Sequence, residues 1–250
     1  MNIAKAIVFD QIEKVPEIQA VRYSLLAINF NSTSTLRHYK IMLLPKKIRN
    51  ICAAIPLLSK SNQDFIRIKR IRHLDSLYEK YSAKTLGLEN SVTLDLGCGT
   101  IPRNPFQANT QWGIDIREDL DRKVKNVDLT INPIPFEDRA FDYITAFDFI
   151  EHVPRIIYAP NCRFPFIQLM NEIWRTLKEE GIFFSLTPVY PFKTAFSDPT
   201  HVNYITEETF QYFNDSSRLA TTYGFCGAFK VLEQYRTDTH LISILQKMKV

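Results

Sequence analysis

Hydrophobic residues in the C-terminal two thirds of the chain fall into short apolar runs separated by polar turns. Such runs are typical of buried strands, and they predict strands at 92–96, 111–116, 125–129, 141–147, 182–187, 229–236 and 240–247. Only Thr237, Asp238 and Thr239 separate the last two runs, which permits an antiparallel hairpin and excludes a crossover helix. The pattern predicts an α/β fold with a doubly wound, seven-stranded sheet, mostly parallel and ending in an antiparallel hairpin.

Helical periodicity is clear in two segments. Apolar side chains recur every three or four residues over 65–81 and again over 166–177, so each segment is predicted to be a helix with one apolar face. Residues 1–60 carry shorter apolar stretches interrupted by Pro45 and Pro56, a pattern typical of a few short helices. The sequence therefore predicts an N-terminal helical extension over 1–64 and a larger domain over 65–250.

The first strand of the sheet ends in a glycine turn, since residues 92–100 read Val-Thr-Leu-Asp-Leu-Gly-Cys-Gly-Thr. Gly97 and Gly99 have no Cβ, so a ligand can approach the backbone there. A dinucleotide-binding turn has a third glycine where a helix opens beneath the pyrophosphate, but Pro102 stands at that position. Proline donates no backbone hydrogen bond to a phosphate, so nicotinamide and flavin cofactors are disfavoured. A purely structural turn is the simplest alternative.

Two acidic residues lie near the ends of the first two predicted strands. Asp95 precedes the glycine turn, and Asp115 follows at about the twenty-residue spacing at which an acidic residue bonds ribose hydroxyls. The segments Asp-Leu-Gly-Cys-Gly at 95–99 and Gly-Ile-Asp-Ile at 113–116 resemble the class I S-adenosylmethionine-dependent methyltransferases of type 11. One departure is Ile101, which stands where that family's signature has its third glycine.

This resemblance implies a Rossmann-like fold and S-adenosyl-L-methionine as the cofactor. It implies that Asp115 binds the ribose, that Asp128 accepts a hydrogen bond from the adenine amino group, and that Phe147 contacts the methionine part. The predicted cofactor-binding residues are Asp95, Gly97, Cys98, Gly99, Asp115, Ile116, Asp128, Leu129 and Phe147. For Asp128, an ordinary solvated loop aspartate is the alternative.

A long polar loop follows the fifth predicted strand, at the sheet edge where α/β proteins bind ligands. In this loop His201 is predicted to be the general base, because an unperturbed imidazole accepts a proton near neutral pH. Asp198 is predicted to orient His201, and Tyr204 to bond the acceptor. His152, after the fourth strand, is predicted to reach the acceptor too. The alternative for Glu151 and His152 is the start of a helix that faces solvent.

No metal site is predicted. Asp198 and His201 offer two ligand types at close spacing, but a third ligand at a regular spacing is missing from the sequence. The four cysteines stand singly, without a Cys-x-x-Cys pair, so neither zinc binding nor disulfides are favoured.

The chain has 250 residues and is 45% hydrophobic, enough to bury a full core. Its net charge of +4 is uneven, since ten basic residues and a single acid, Asp64, lie between Arg37 and Arg72. This basic segment suits an anionic acceptor, or peripheral contact with an anionic membrane. Neither a signal peptide nor an apolar run of membrane-spanning length is found, so we expect a cytoplasmic protein. The oligomeric state is left open.

These features predict methyl transfer to a hydroxyl oxygen, or less favourably a nitrogen, of a small polar acceptor. The segment Asp-Pro-Thr-His-Val-Asn at 198–203 is similar to bacterial methyltransferases that modify cell-surface sugars. The resemblance implies a sugar, a nucleotide sugar or a phosphorylated precursor of surface polysaccharide as the acceptor.

Two other functions are considered. An RNA methyltransferase would use the basic segment, but the Asn/Asp-Pro-Pro-Tyr/Phe element of base methylation is missing at 147–150, so we expect no nucleic-acid partner. A non-catalytic scaffold could keep the same fold. The intact acids and glycines of the turn argue against a scaffold, which needs no cofactor cradle.

Overall fold

The structure is a computed structural model that describes residues 68–214 and 219–249. In this part of the chain the α-helices are α1 (Asp75–Lys80), α2 (Pro165–Thr176) and α3 (Thr194–Ser197), with 3-10 turns at Ile150–His152, Phe210–Phe213 and Leu219–Tyr223. The strands are β1 (Val92–Leu96), β2 (Thr110–Asp115), β3 (Val124–Asn126), β4 (Phe141–Phe147), β5 (Leu177–Pro188), β6 (Phe229–Arg236) and β7 (His240–Lys247). The predicted N-terminal extension and most of the basic segment lie outside the described residues.

The seven strands of the described region form one sheet in the order β3-β2-β1-β4-β5-β7-β6. β1 to β5 pair in parallel, whereas β7 runs antiparallel to both β5 and β6. The predicted doubly wound sheet with its terminal hairpin is therefore confirmed. The strand order reverses at β1 and β4, and open α/β sheets bind ligands in the crevice beyond the carboxyl ends of such strands.

Both faces of the sheet are covered by packed side chains. Successive residues of a strand point to opposite sides, so a single strand can contribute to packing on both faces. On one face Ile144 packs in a cluster with Met170 of α2. On the other face Tyr143 packs with Leu77 of α1, and its ring stacks on Phe106 at a centroid distance of 4.9 Å. This two-sided burial explains the nearly continuous apolar character of the central strands.

The prediction of a helix over 65–81 is wrong for residues 68–74, the described portion of its first half. Helix α1 covers only Asp75–Lys80. Upstream, the Ile71 amide donates to the Arg236 carbonyl over 2.9 Å, and the Arg236 amide donates to the Lys69 carbonyl over 3.0 Å. Backbone pairing with the end of β6 satisfies these groups outside a helix, so the tertiary contact overrides the local periodicity.

Strand β5 begins at Leu177, directly after α2, and not at residue 182 as predicted. Its pairing with β4 shifts between Phe141 and Tyr143, so the residues between Leu177 and Ile182 form a bulge. A Cβ on Gly181 would lie 2.8 Å from a backbone carbonyl oxygen, which explains the glycine there.

None of the helices in the described ranges has the length and apolar character that a bilayer span requires.

Candidate active site

A cleft of about 460 Å³ lies beyond the carboxyl ends of the central strands. Its volume is in the range of roughly 300–1,000 Å³ that is usual for small-molecule sites. We call it the strand-end cleft. The predicted cofactor residues that line it are Gly97, Asp115, Ile116, Asp128 and Leu129. His152, predicted for the acceptor side, lines the same cleft.

Gly97 and Gly99 adopt left-handed backbone conformations, with φ of 65° and 64°. A Cβ on Gly97 would lie only 2.5 Å from Cδ2 of Phe149, whereas the nearest atom to a Cβ on Gly99 is an Arg117 nitrogen at 3.7 Å. Gly97 is therefore required both by the turn and by the phenyl ring that packs on it. At Gly99 only the left-handed backbone of the turn favours glycine.

Asp115 holds its carboxylate at the end of β2 with 9% of its surface exposed. Oδ2 accepts from the Gly99 amide at 2.8 Å, and Oδ1 accepts from the Arg117 Nε at 2.9 Å. Burial favours the protonated form, but the hydrogen bonds from the Arg117 side chain and the Gly99 amide outweigh it and lower the pKa of Asp115. The carboxylate is ionised at neutral pH and faces the strand-end cleft.

Asp95 lies beneath the turn and is not among the residues that line the cleft. It is fully buried, with Oδ1 accepting from the Thr145 hydroxyl at 2.7 Å and Oδ2 from the Arg103 amide at 2.8 Å. Burial raises the pKa of Asp95 to about 6. Its carboxylate links β1 to β4 and holds the segment after the glycine turn. Of the two acids predicted to bind the cofactor, Asp115 therefore lines the strand-end cleft and Asp95 does not.

Phe147 and Cys98 are also not among the residues that line the strand-end cleft. The Phe147 ring lies 5.1 Å from the Phe184 ring, and the Arg103 guanidinium lies over it at 4.6 Å. The ring predicted to contact the methionine part thus carries a cation of the protein itself in this structure. Cys98 packs against Gly113, where a Cβ would lie 2.4 Å from its sulfur, and burial raises the pKa of its thiol to about 12.

Asp128 and Leu129 lie together at the cleft wall. Asp128 Oδ1 accepts from the Thr130 amide at 2.8 Å, which shapes the turn after β3. Leu129 is 7% exposed and belongs to the core cluster behind the cleft. An acid and an apolar side chain are therefore placed side by side, as the adenine-binding prediction requires.

The two histidines predicted for catalysis lie next to each other. The rings of His152 and His201 meet edge to face at a centroid distance of 4.8 Å. The amides of Val202 and Asn203 both donate to the Glu151 carbonyl at 2.9 Å, so the polar loop is fixed onto the Ile150–His152 turn. Residues some fifty positions apart in sequence thus form one rigid cluster.

Glu151 is buried, with only 1% of its surface exposed, so the solvent-facing alternative is wrong for this residue. Its Oε2 accepts from the Thr187 hydroxyl at 2.6 Å. Burial raises the pKa of Glu151, and the bond from Thr187 opposes that rise. The side chain points into the protein beside the two imidazoles.

The Asp198 carboxylate does not bond the His201 ring as predicted, because it bonds Thr200, which in turn contacts His152. Asp198 Oδ1 accepts from the Thr200 hydroxyl at 2.6 Å, and the same hydroxyl oxygen lies 3.0 Å from His152 Nδ1. A hydroxyl has one proton, and the bond from Thr200 lowers the pKa of Asp198, so this proton goes to the carboxylate. Thr200 then accepts from His152 Nδ1, and this contact leaves His152 Nε2 without a role in the Thr200 bond.

Tyr204 lies on the rim of a second cleft of about 550 Å³. Its ring packs on Phe196 at 4.8 Å, and its backbone oxygen accepts a hydrogen bond from Arg155. Phe164 and Tyr223, whose rings are 5.3 Å apart, line the same space. We call it the aromatic cleft. Tyr204 belongs to the polar loop, so the aromatic cleft adjoins this loop, whereas His152 lines the strand-end cleft.

Sequence reasoning missed the residues that hold the site together. Phe149 covers the glycine turn, Thr145 and Thr187 bond the buried acids, and His240 Nε2 lies 3.0 Å from Asp148 Oδ1. Threonines inside apolar strands could have indicated these bonds, because a buried hydroxyl needs a hydrogen-bond partner.

With this geometry in place, comparison with known proteins identifies the class. Residues 94–185 match the family model described as a methyltransferase domain. The matched segment runs from β1 into β5 and contains the glycine turn, Asp115 and His152. Over these residues the chain matches a methyltransferase domain, and S-adenosylmethionine is the cofactor of that family.

Individual relatives are distant. The sterol 24-C-methyltransferase of Schizosaccharomyces pombe is 27% identical over 126 residues, which cover 42% of this chain and 30% of that protein. The [4+2]-cyclase SpnF is 17% identical with a TM-score of 0.48, covering 71% of this chain and 80% of that one. A methyltransferase from Clostridium acetobutylicum is 12% identical with a TM-score of 0.47, covering 72% and 93%.

The strand-end cleft fits this cofactor. At Gly97 the wall has no side chain, and a carboxylate offers about four acceptor positions, of which Asp115 uses three for Gly99 and Arg117. Arg117 is 64% exposed, so its side chain can leave Asp115 for solvent when ribose hydroxyls arrive. Asp128 and Leu129 would offer an adenine ring one polar and one apolar contact.

Proposed function

We propose that the protein transfers a methyl group from S-adenosylmethionine to a hydroxyl oxygen of a small polar acceptor. The observation that carries this proposal is the position of His152. It lines the strand-end cleft with Asp115 and Gly97, and its ring contacts His201 of the polar loop. A cofactor in the cleft would therefore end beside a cluster of groups that can receive a proton.

When bound, the cofactor supplies a methyl group on a positively charged sulfur, already activated for attack by an oxygen nucleophile. The chain then has two tasks, to align the acceptor and to remove its proton. The proton leaves at the cluster of Glu151, His152 and His201. Thr200 fixes the His152 ring through Nδ1 and leaves Nε2 free for this purpose. Transfer would join the methyl carbon to the acceptor oxygen at the expense of its bond to sulfur, with S-adenosylhomocysteine as the leaving product.

The body of the acceptor is proposed to lie in the aromatic cleft. Phe164, Tyr204 and Tyr223 present ring surfaces there, and Arg155 and Glu208 add polar groups. Aromatic rings pack well against the apolar face of a sugar, while polar side chains select its hydroxyls. This combination supports a sugar, a nucleotide sugar or a phosphorylated sugar precursor. The role in bacterial surface polysaccharide synthesis is proposed from the resemblance of segment 198–203 alone.

Two measurements test the proposal. Calorimetry with S-adenosylmethionine should give saturable binding with one site, and a complete lack of binding would favour the scaffold alternative. A screen with methyl-labelled cofactor should then transfer label to nucleotide sugars or phosphorylated sugars. Transfer to RNA alone would overturn the acceptor assignment while leaving the methyltransferase assignment intact.

A further inference from the structure

Glu151, His152 and His201 form a compact group of three side chains. One ligand atom from each lies within 4.8 Å of the others. We propose that this cluster binds a divalent transition-metal ion. Two imidazoles and one carboxylate are a donor set that suits Zn²⁺ and other first-row divalent ions better than Mg²⁺ or Ca²⁺.

Two atoms of the cluster lack a protein partner. Within the part of the chain that the structure describes, Glu151 Oε1 and His201 Nδ1 are buried and have no hydrogen-bond partner. Leaving a buried polar atom unpaired costs about 1–3 kcal/mol, and more for a charged group. A cation bound by both atoms would remove this cost, so their burial without a partner supports a cation site.

The remaining side-chain atoms of Glu151 and His152 have the outer hydrogen-bond partners that metal ligands usually have. Thr187 donates to Glu151 Oε2 at 2.6 Å, and Thr200 Oγ1 lies 3.0 Å from His152 Nδ1. Ligating histidines and carboxylates are normally oriented by such outer partners. His152 Nε2 and Glu151 Oε1 are thereby left as the free ligand atoms.

The backbone places the ligands close to each other before any ion arrives. The loop that carries His201 is bonded to the Glu151 carbonyl through the Val202 and Asn203 amides, and Asn203 Nδ2 donates to the Ile150 carbonyl at 3.2 Å. Ligand atoms about 2.1 Å from a tetrahedral ion are about 3.4 Å apart. Small rotations of the three side chains would therefore complete the site.

No metal was expected from the sequence, because Asp198 and His201 lacked a third ligand at a regular spacing. The fold supplies the missing ligands from a segment about fifty residues earlier, and Asp198 is an outer partner of His152 instead of a ligand. If the proposed function is correct, a metal here would bind the acceptor oxygen and lower its pKa. His152 and His201 would then be ligands in place of bases, and the acceptor proton would pass to solvent. Metal binding itself does not depend on that function.

The test is calorimetric titration of metal-free, full-length protein with Zn²⁺ and with Co²⁺, without cofactor or acceptor. We expect one strong site, and Co²⁺ should give the visible absorption of a nitrogen- and oxygen-ligated ion. Glu151→Gln and His201→Gln should weaken this binding by about tenfold or more, and Thr187→Val by about tenfold. The controls are Glu79→Gln and His73→Gln, which change exposed residues of the same types outside the cluster.

The outcomes separate this inference from the proposed function. Lack of stoichiometric Zn²⁺ and Co²⁺ binding, or binding that Glu151→Gln and His201→Gln leave unchanged, would overturn the metal site. Circular dichroism and S-adenosylmethionine affinity establish that each variant is folded. Cofactor binding without metal binding would refute only the metal site, and metal binding without cofactor binding would refute only the proposed function.

Discussion

The phenyl ring of Phe149 occupies the space in which a side chain on Gly97 would lie. This contact joins the residue after β4 to the turn after β1, at the point where the strand order reverses. The same packing contact thus helps to stabilise both the turn and the wall of the strand-end cleft. Gly97 and Phe149 should depend on each other energetically.

Gly97→Ala should lower the free energy of unfolding more than Gly99→Ala. Both changes strain a left-handed backbone, but only the first also forces a methyl group against a phenyl ring. The difference should be about 1–3 kcal/mol, the usual cost of overpacking, measured by urea denaturation. Adding Phe149→Ala to Gly97→Ala should recover part of the loss. Equal destabilisation by the two glycine substitutions would contradict the role of Phe149.

Asp115→Ala should weaken S-adenosylmethionine binding by about 1–3 kcal/mol, because a charged acceptor for the ribose hydroxyls is lost. Calorimetry measures this change directly. Asp119→Ala is the matched control, since Asp119 pairs with Arg122 and does not line the strand-end cleft. Unchanged affinity in Asp115→Ala would mean that the ribose binds elsewhere.

Thr200→Val should reduce the turnover of methyl transfer by about tenfold while cofactor affinity is retained. The substitution removes the hydroxyl between Asp198 and His152, so the imidazole loses its fixed orientation. Thr200→Ser should restore turnover because it keeps the hydroxyl. Ser197→Ala, which removes a hydroxyl bonded only to the Lys193 carbonyl, serves as the control. If Thr200→Ser were as slow as Thr200→Val, Thr200 would not be a positioning residue.

The stability of the protein should depend on pH through Asp95. Burial raises the pKa of Asp95 from 3.8 to about 6, so the folded state holds a proton that the unfolded state has lost across this window. The free energy of unfolding therefore falls as pH rises from about 4 to about 6, by an amount on the order of 3 kcal/mol. Urea denaturation at pH 4.5, 5.5 and 7 measures the slope.

Asp95→Asn should flatten that slope, because an amide does not titrate. The variant also loses the bond from the Arg103 amide, a cost that is the same at every pH and so does not obscure the slope. Asp119→Asn, a change to a more exposed carboxylate outside the core, provides the comparison. A slope as steep in Asp95→Asn as in the unmodified protein would show that other groups are responsible.

Most of the sheet could be predicted from the sequence. Strands β1, β4, β6 and β7 were placed with correct bounds, because their apolar runs end at clear turn residues. The helix predicted over 65–81 was wrong in its first half, where pairing with Arg236 replaces helical hydrogen bonds. Such long-range pairing leaves no trace in local periodicity.

The candidate site was predictable in its residue types but not in their partners. Asp115, Gly97 and His152 line one cleft, since strand ends of a parallel sheet meet at the same edge. Asp95 was predicted to face the ligand, yet it bonds Thr145 on a neighbouring strand. Sequence spacing predicts the strand end on which a side chain lies. It does not predict whether that side chain already bonds a hydroxyl on a neighbouring strand.

The backbone bonds that Lys69 and Ile71 make with Arg236 extend the sheet past its outermost strand. An unpaired edge strand offers free amides and carbonyls to other chains and promotes self-association. These few residues cover the last part of β6, so that part of the border is not available to a second molecule. A shortened chain that began after residue 71 would lose this cover, and its tendency to aggregate should rise even with every residue of the cleft intact.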